Sequence, residues 1–535
     1  MTSVRTLMTG GKGFSFVPRR RARLRLGRAF LIASSIVAAA VAAIPLAYLV
    51  VRVVGSDPNL VTAALLRGRM VELAVNTVGL VIAVSITALV VGVAIAWLLT
   101  RTDLAGRKVW LVITALPLAV PSYVAAFGWI AVTPLRGFWG AFVVLTLCNV
   151  PFVTLPTIAA LRLSNHANED VARTLGRSRL RAFLEATWPQ IRPAALAGVL
   201  LVALYVLAEF GTVALMRYQA FTWAIHTAYG SQFNPTLAAV MATVLAAMGI
   251  ALVVAERRMR GAQARLGTTV VARAPVTPVP LGRHAWWVHG ALGLLAMLGL
   301  AVPVGALARY IGSTTAASTS VRPGALVTDM ISTVSIAGAG ALFALALALP
   351  IGLVAARIRN RLSGVTESAS YLGLALPGIV VGLSLVFFSL KVVPALYQSI
   401  WMLAFAYGVL FLPKAVGAVR ASIEQVEPGL EDVARTLGSS PQRVWSRVTA
   451  RIAWPGIGAG VLLVALTAMK ELPATLLLRP TGTDTLATSL WRYTESSAYA
   501  AAAPYALMLI AVAIVPALLL TREVVAGKRS PEEAL

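Results

Sequence analysis

Three ionisable residues stand within long apolar runs of this sequence. They are Glu209 and the neighbours Lys470 and Glu471. An ionisable group in a bilayer costs about 2.5–3.5 kcal/mol on insertion scales, so it usually faces a bundle interior or a water-filled cavity. We expect these side chains to line a pathway through the protein. A gate or a helix-end ion pair involving Lys470 is an equally open interpretation, because structural ion pairs also occupy such positions.

Enzymatic chemistry is not indicated by any motif. The stretch Gly10-Gly11-Lys12-Gly13 has neither the spacing nor the hydroxyl residue of a phosphate-binding loop, and no strand precedes it. A zinc-binding His-Glu-x-x-His helix and a nucleophile elbow are absent from the sequence, and its four histidines are scattered. Cys148 is the one cysteine, which excludes a disulfide framework. We therefore expect a chain that is not an enzyme and that binds no ATP, no cofactor and no resident metal.

The elements that must position these residues are membrane-spanning helices. The chain has 535 residues, of which 59% are hydrophobic and 12% charged, whereas a soluble protein has about 25% charged residues. A spanning helix needs about 20 predominantly apolar residues. We predict an all-α polytopic fold with about twelve spans, near 29–52, 73–99, 109–132, 137–161, 194–216, 236–255, 286–308, 330–356, 368–390, 396–419, 456–478 and 503–521.

The net charge of +26 reflects membrane topology rather than binding of nucleic acid. Most of the 46 Lys and Arg residues fall in segments that lie on one side if the N-terminus is inside, and cytoplasmic loops carry this cation excess. We expect a multi-pass protein of the bacterial inner membrane with both termini in the cytoplasm. The basic stretch 19–25 precedes an apolar run too long for a cleavable signal, so we interpret it as the start of an uncleaved first span.

The sequence repeats itself. A shift of 262 places the eight residues Glu169 to Gly176 on the identical residues Glu431 to Gly438. The same register continues without a gap through Glu209 and Glu471. Nearer the start of each half, Leu116-Pro117 corresponds to Leu376-Pro377 at a shift of 260, and Arg101 to Arg357 at 256. Because each half has an even number of spans, we predict two parallel six-helix repeats around an axis normal to the membrane.

This register divides the chain into five segments. They are a basic cytoplasmic arm (1–28), a first transmembrane half (29–259) with a cytoplasmic loop at 162–193, a Pro-rich cytoplasmic connector (260–284), a second half (285–521) with a loop at 420–455, and a cytoplasmic tail (522–535). The acidic residues at the start of each repeated stretch and the glycine at its end predict short helices in both loops.

Both loops resemble the EAA loop of ABC importer permeases. That pattern has Glu-Ala-Ala, a glycine four positions on, and two later prolines. The first copy reads Asp170-Val171-Ala172, Gly176, Pro189 and Pro193; the second reads Asp432-Val433-Ala434, Gly438 and Pro455, with Arg451 where Pro189 stands. The resemblance implies a type I importer fold whose loops dock on a dimer of ATPase subunits, which hold the ATP and Mg²⁺. It assigns docking to Glu169, Asp170, Ala172, Gly176, Pro189, Pro193, Glu431, Asp432, Ala434, Gly438 and Pro455.

The stretch 470–488 and the shorter Glu209 to Val213 are also similar to segments of fused ferric-iron permeases. That resemblance implies ferric iron as substrate and a periplasmic binding protein as partner. A hard trivalent cation would favour the carboxylates of Glu209 and Glu471. Thiamine, polyamine and phosphonate are alternative substrates. An ion-coupled secondary transporter is the alternative of another class, and a polytopic membrane enzyme would lack a site.

Two residues of an outer loop and the prolines within apolar runs complete the set of candidate positions. His226 and Tyr229 fall in an outer loop, where we interpret them as ordinary aromatic residues at the membrane interface rather than as ligand contacts. Several prolines and Gly378 interrupt long apolar runs, and for any one proline a simple kink is the favoured interpretation over a broken helix. These positions are Pro117, Pro121, Pro350 and Pro377.

Overall fold

The computed structural model describes residues 18–165, 167–263, 278–311, 322–358 and 360–526. Within these ranges the regular structure is helical, and one isolated β-bridge joins Thr102 to Val279. The predicted all-α class is confirmed. Much of the predicted basic arm and of the connector, and most of the tail, lie outside the described residues (1–17, 264–277 and 527–535).

Thirteen helices make up the described part of the first half. They are α1 (Pro18–Ala42), α2 (Ile44–Val54), α3 (Pro58–Leu65), α4 (Gly68–Arg101), α5 (Arg107–Ala115), α6 (Ser122–Val132), α7 (Gly137–Leu163), α8 (Ala167–Thr174), α9 (Arg179–Ala182), α10 (Trp188–Ala208), α11 (Gly211–Leu215), α12 (Phe221–Gly230) and α13 (Pro235–Gln263). A 3₁₀ turn at Leu116–Ala119 follows α5, and a π turn at Phe183–Thr187 joins α9 to α10.

The described part of the second half has the same order of elements from its first long helix onward, except that a bent pair of helices stands where the first half has α7 and that a short 3₁₀ turn, Pro394–Leu396, precedes this pair. Its helices are α14 (Ala285–Ala296), α15 (Val302–Ile311), α16 (Pro323–Arg357), α17 (Arg361–Ser370), α18 (Gly378–Val392), α19 (Ile400–Leu410), α20 (Leu412–Glu424), α21 (Pro428–Thr436), α22 (Pro441–Val444), α23 (Ala450–Ala468), α24 (Pro473–Leu478), α25 (Leu486–Glu495) and α26 (Tyr499–Ala526). A 3₁₀ turn at Tyr371–Ala375 and a π turn at Trp445–Thr449 repeat those of the first half.

The described helices account for the predicted spans. Eight of them are long and apolar enough to cross a bilayer, and four bent pairs raise the number to twelve if each pair is one span. The bent pairs are Ala29–Ala42 with Ile44–Val54 (47°), Arg107–Ala119 with Ser122–Val132 (94°), Arg361–Ala375 with Gly378–Val392 (105°) and Ile400–Leu410 with Leu412–Glu424 (58°). The expectation of about twelve spans agrees with this count.

Two predicted spans end too late. The helices of the spans placed at 194–216 and 456–478 stop at Ala208 and Ala468. Glu209 then takes an extended conformation, with φ −69° and ψ 125°. Hydropathy did not reveal this ending, because the stretches beyond the ionisable residues, from Phe210 and from Leu472, are as apolar as the helices themselves. The ionisable residues thus lie just beyond the ends of the spans rather than within them.

The repeat register near the start of each half also needs correction. Pro121 directly precedes α6 and Pro377 directly precedes α18, with φ near −59° and −58°. The structure therefore pairs Pro377 with Pro121, at the shift of 256 that also relates Arg101 to Arg357. The sequence pairing of Pro377 with Pro117 at 260 was wrong, because both halves offer a proline within a few residues of the same bend.

The bends at Pro121 and Pro377 are breaks rather than kinks. The two helices on either side meet at 94° and 105°, so the kink interpretation was wrong at these two positions. Pro350, in contrast, lies inside the uninterrupted α16, and Pro117 lies in a 3₁₀ turn. A right-angled break exposes backbone groups at membrane depth, which is tolerated where they are buried in protein or line a cavity.

The two halves interleave. Tyr48 of α2 packs edge-on against Phe388 of α18, with ring centroids 5.6 Å apart. In the reciprocal arrangement, Phe127 of α6 lies 6.1 Å from Tyr310 of α15 and 5.7 Å from Tyr499 of α26. Each of the two main buried clusters accordingly contains residues of both halves. The segments 29–259 and 285–521 are therefore sequence repeats that do not fold as two separate units, because helices of each half pack against helices of the other.

Close helix contacts use glycines that the repeat places in both halves. A Cβ atom on Gly198 of α10 would lie 2.6 Å from the carbonyl oxygen of Phe152 on α7, and one on Gly460 of α23 would overlap the side chain of Ala418 on α20. Lipid tails are as apolar as leucine, so helices in a bilayer associate largely through the close packing that small residues permit. These contacts fix α10 and α23, which end at the ionisable residues.

Candidate functional site

Each predicted docking loop folds into a short exposed helix, α8 in the first half and α21 in the second. Neither helix has a buried residue. Their docking candidates are Glu169, Asp170 and Ala172 on α8, and Glu431, Asp432 and Ala434 on α21. The predicted short helices are thus present in both loops. We call α8 and α21 the loop helices.

Gly176 and Gly438 terminate the loop helices in the same way. Their φ angles are +82° and +84°, in the left-handed region that glycine adopts at little cost. Gly176 N–H donates to Arg173 O over 3.0 Å, and the following N–H of Arg177 donates to Ala172 O over 3.1 Å. These two bonds define a Schellman motif. Gly438 makes the equivalent bond to Arg435 O, also over 3.1 Å. Glycine recurs at this position of the repeated motif because the backbone there has positive φ.

Both loop helices carry an exposed apolar ridge. Val171 and Leu175 are 57% and 77% exposed in the first half, and Val433 and Leu437 are 58% and 81% exposed in the second. An amphipathic helix that shows such a ridge can insert it into a partner's groove or lie in the membrane interface. The ridge is equivalent in the two halves, so both can meet the same kind of surface.

In the second half, the glutamate of the loop helix points back into the protein. The carboxylate of Glu431 accepts a hydrogen bond from Thr449 Oγ1 at 2.9 Å and one from the Arg357 guanidinium at 2.8 Å. It also accepts one from Arg435 at 3.0 Å, within α21 itself. Arg357 is the last residue of α16, and it donates as well to Val426 O at 3.1 Å. Glu431 therefore links the loop helix to α16 and to the π turn before α23.

The first half repeats this link. The Glu169 carboxylate accepts a hydrogen bond from Thr187 Oγ1 at 2.7 Å. Arg101, the last residue of α4, interacts electrostatically with Glu169 and Asp170 and donates to Ser164 Oγ at 2.6 Å. We call each set of arginine, loop-helix glutamate and threonine a clamp. Its arginines and threonines were not predicted from the sequence, although Arg101 and Arg357, and Thr187 and Thr449, are identical at equivalent positions.

The three docking-motif prolines lie at the starts of the next long helices. Pro189 lies in the first turn of α10, directly after the π turn Phe183–Thr187. Pro193 lies inside α10 and Pro455 inside α23. Arg451, which takes the place of Pro189 in the second half, is exposed. These prolines are therefore part of the two long helices and not of the loop helices.

Glu209 lies at the break between α10 and α11, and it is 8% exposed. Its carboxylate accepts hydrogen bonds from Ser122 Oγ at 2.8 Å and from the backbone N–H of Thr212 at 2.9 Å. Its own carbonyl accepts one from Thr222 Oγ1 at 2.6 Å. Ser122 is the first residue of α6, directly after the 94° break. Two broken helices therefore meet at this carboxylate.

Glu471 occupies the equivalent break before α24 and is half-buried. Its Oε1 accepts the backbone N–H of Ala474 at 3.2 Å, as Glu209 accepts that of Thr212. Gly378 faces it at the position of Ser122, and a Cβ there would overlap the Glu471 carboxylate. The second half thus has no hydroxyl donor at this position, and the Glu471 carboxylate fills the space beside the glycine, so the two carboxylates have different surroundings.

Lys470 joins the two halves at these breaks. Its Nζ donates to the carbonyl oxygen of Leu118 at 3.0 Å, in the 3₁₀ turn of the first half. Lys414, which was not predicted from the sequence, donates to Thr467 Oγ1 at 3.1 Å. Neither lysine forms an ion pair within 4 Å among the described residues, so the predicted helix-end ion pair is replaced by a bond to a carbonyl.

These residues form one electrostatic unit, which we call the central cluster: Glu209, Glu471, Lys414 and Lys470. The charge of Glu471 interacts with those of Glu209 and Lys414, and Lys470 interacts with Lys414. The structure therefore brings together the three ionisable residues singled out in the sequence. The described residues contain no group of three or more His, Cys, Asp or Glu that could hold a metal ion.

His226 and Tyr229 lie on α12, are half-buried and pack against aromatic side chains. The His226 ring lies 5.0 Å from Phe210 and 6.4 Å from Trp491, and Tyr229 lies 6.1 Å from Phe387. Burial lowers the pKa of His226. The interpretation of these two as interface residues of an outer loop was wrong, since a helix between two spans folds inward here and contacts the other half.

Comparison with known proteins gives a consistent assignment. The sequence profile of the family "Binding-protein-dependent transport system inner membrane component" matches residues 92–260 and 348–522. One match falls in each half, so the predicted duplication is confirmed. The chain is 35% identical to the Fe(3+)-transport system permease protein FbpB 2 of Haemophilus influenzae over 486 residues, 90% of this chain and 95% of that protein.

Other relatives align with a smaller part of the chain. It is 31% identical to the sulfate transport system permease protein CysT of Salmonella typhimurium over 140 residues, 23% of this chain and 50% of that protein. It is 30% identical to the probable molybdenum ABC transporter permease protein of Haloferax volcanii over 180 residues, 31% of this chain and 66% of that protein.

Proposed function

The chain belongs to the family of binding-protein-dependent transport system inner membrane components, and on this premise we propose that it carries ferric iron across the inner membrane in an ATP-driven importer. One observation carries the choice of substrate. The similarity to the Fe(3+)-transport permease extends over 90% of this chain, whereas the sulfate relative matches 23% of it. The alternative of an ion-coupled secondary transporter is not supported by this family membership.

The chemistry of the central cluster supports a hard cation. Glu209 and Glu471 supply carboxylate oxygens, the ligands that hard metal ions prefer. Each carboxylate oxygen has two lone pairs, and the hydrogen bonds to Glu209 and Glu471 leave some of them available. Two carboxylates would bind a cation only loosely, which is appropriate for an ion that must leave the site again.

We propose that a dimer of ATPase subunits docks on the loop helices and that a periplasmic binding protein delivers the substrate. In this proposal the ATPase subunits bind ATP and Mg²⁺, and the permease binds no cofactor of its own. Nucleic acid is not a partner. Both termini of the permease lie in the cytoplasm. The exposed ridges at Val171 and Val433 support the docking surface. The Fe(3+)-transport relative supports the cargo.

The clamps suggest how movement of the loop helices would reach the central cluster. Glu169 on α8 is hydrogen-bonded to Thr187, the residue before α10, and α10 ends one residue before Glu209. A 21-residue helix is about 32 Å long, which is close to the thickness of a bilayer. In the second half, α23 connects Thr449 to the pair Lys470 and Glu471 in the same way. A push on either loop helix would therefore act directly on one break.

Uptake by the reconstituted importer tests this function. We expect proteoliposomes that contain the permease, its ATPase and its binding protein to accumulate radioactive ferric iron only when ATP is supplied. Thiamine, polyamines, phosphonate, sulfate and molybdate should neither enter nor compete. Glu209→Gln and Glu471→Gln should each reduce the rate at least tenfold. Glu495→Gln is the matched control, because Glu495 is exposed at the end of α25.

Two results would contradict the proposal. Iron uptake that persists without ATP or without the ATPase would refute the ATP-driven mechanism. Uptake of sulfate or molybdate in place of iron would refute the substrate. Normal iron transport by assembled Gln variants would remove the two glutamates from the pathway while leaving the importer assignment intact.

A further inference from the structure

The central cluster contains two lysines that a pathway for a bare cation would not need. Lys414 and Lys470 belong to the second half, and the register of 262 places Phe152 and Ala208 at the equivalent positions of the first half. The cations are therefore not required by the repeated fold itself. Both lysines are half-buried, so part of each side chain stays accessible.

The ammonium groups have unused hydrogen-bonding capacity. An ammonium carries three N–H donors. Among the described residues, Lys470 uses one on Leu118 O, and Lys414 uses one on Thr467 Oγ1 while it lies 5.4 Å from the centre of the Phe411 ring. Both protein acceptors are neutral. A lysine in an apolar setting normally finds a carboxylate partner, and here the nearby glutamates instead accept backbone N–H and hydroxyl donors.

The two signs of charge also balance within the cluster. Two glutamates and two lysines interact electrostatically with one another. Two ammonium groups would repel a bare trivalent ion, because Coulomb repulsion grows with the product of the charges. They would attract an ion whose charge is partly neutralised by a bound oxyanion, since lysine is an effective point charge toward oxyanions.

We infer that ferric iron crosses the central cluster together with an oxygen-donor anion, which Lys414 and Lys470 contact while Glu209 and Glu471 face the metal. The inference depends on the proposed ferric-iron function and specifies the chemical form of its substrate. On arrival of the anion, Lys470 exchanges its bond to Leu118 O for bonds to anion oxygens. This exchange releases a contact between the two halves.

Double-label uptake tests the inference without any substitution. Proteoliposomes with the complete importer receive radioactive iron in parallel arms with ³²P-phosphate, ¹⁴C-citrate or ¹⁴C-bicarbonate, each with and without ATP. We expect at least one anion to accumulate with the iron in an ATP-dependent manner and in a constant ratio to it. Iron that accumulates without any of the three labels would overturn the inference and leave the iron function intact. Absence of iron uptake in every arm, with sulfate uptake in its place, would overturn both.

Lysine variants assign the anion contact. We expect Lys414→Ala and Lys470→Ala to reduce iron uptake at least tenfold and to abolish the difference in rate between anions. Lys414→Arg and Lys470→Arg should retain anion dependence, because the positive charge is preserved. Lys391→Ala is the matched control, since Lys391 is exposed at the end of α18.

A lysine that acts only as a structural tie would give a different pattern. Its loss would lower the rate by the same factor with every anion, and that pattern in both Ala variants would overturn the assignment to Lys414 and Lys470. An Ala variant that fails to assemble is replaced in this comparison by the corresponding Arg variant, for which loss of anion preference is the contradicting result.

Discussion

Removal of the Glu431 carboxylate should loosen the loop helix α21 by a calculable amount. In Glu431→Ala, Thr449 and Arg357 lose a charged acceptor, and the exposed Arg435 side chain loses one of its two carboxylate partners. A hydrogen bond to a charged group contributes about 1.5–3 kcal/mol when buried. The Glu431 side chain is 12% exposed but Arg357 is 25% exposed, so we reduce this value to about 1 kcal/mol for each of these two bonds. The Arg435 pair adds about 0.3–0.5 kcal/mol.

The total is about 2–3 kcal/mol, which corresponds to about 30- to 150-fold in the equilibrium for local opening at 1.4 kcal/mol per tenfold. Amide hydrogen exchange of the peptide 428–438, followed by mass spectrometry of the permease in nanodiscs, measures this ratio directly. The matched control is Asp432→Ala, which removes a carboxylate one residue away that is 70% exposed and contacts Arg435 alone. We expect the control to change exchange by less than about fivefold.

Equal exchange rates in the two variants would refute the clamp, since Glu431 is largely buried and the adjacent Asp432 is exposed. Acceleration spread over the whole second half would also count against it, because that pattern would indicate global destabilisation. A local effect confined to α21 is the expected result.

Three further predictions test other parts of the structure. Alanine at Gly176 and Gly438 must adopt positive φ at a cost of about 1–2 kcal/mol each. The double variant should therefore bind its ATPase at least 5-fold more weakly in a pull-down titration. Wild-type affinity would contradict the role of these glycines at the ends of the loop helices. Gly378→Ser should reduce iron uptake at least tenfold, because the added Cβ would displace the Glu471 carboxylate, and normal uptake would show that this carboxylate position is unimportant. Burial lowers the pKa of His226, so on acidification the unfolded chain takes up a proton at this residue before the folded chain does. Lowering the pH from about 7.5 to about 5.5 should therefore lower the thermal midpoint of unfolding more in the wild type than in His226→Leu. Equal shifts of the midpoint in the two proteins would contradict this prediction.

Hydropathy and internal repetition were sufficient to predict the architecture. Apolar runs of about 20 residues predict spans because the backbone in lipid must satisfy its own hydrogen bonds, and identity between the loops predicts the duplication. The right-angled breaks at Pro121 and Pro377 were not predictable in this way. Hydropathy continues across them unchanged, and a proline by itself is compatible with a kink, a break or an uninterrupted helix such as α16.

The candidate sites also differ in how far the sequence could predict them. Glu209, Lys470 and Glu471 were identifiable because a charge in an apolar run is costly, and the loop helices because their sequences repeat. The clamp was not identified, since Arg357 and Glu431 are 74 residues apart and no local pattern joins them. The available signal was that the same two residue types recur at equivalent positions of the first half, as Arg101 and Glu169. Lys414 was missed because its apolar run was interpreted as an ordinary span.

The interleaved packing has a consequence for how the protein is made. The surface that α1 and α2 cover belongs mainly to α16 and α18, which begin at Pro323 and Gly378. At about 5–20 residues per second, the ribosome needs about 15 s to 1 min to synthesise the intervening chain. During that interval the first two helices must wait in the lipid without their final neighbours. If the two halves were separate chains, contact between them would depend on diffusion in the membrane. In the fused chain, the waiting time is set by the rate of translation instead.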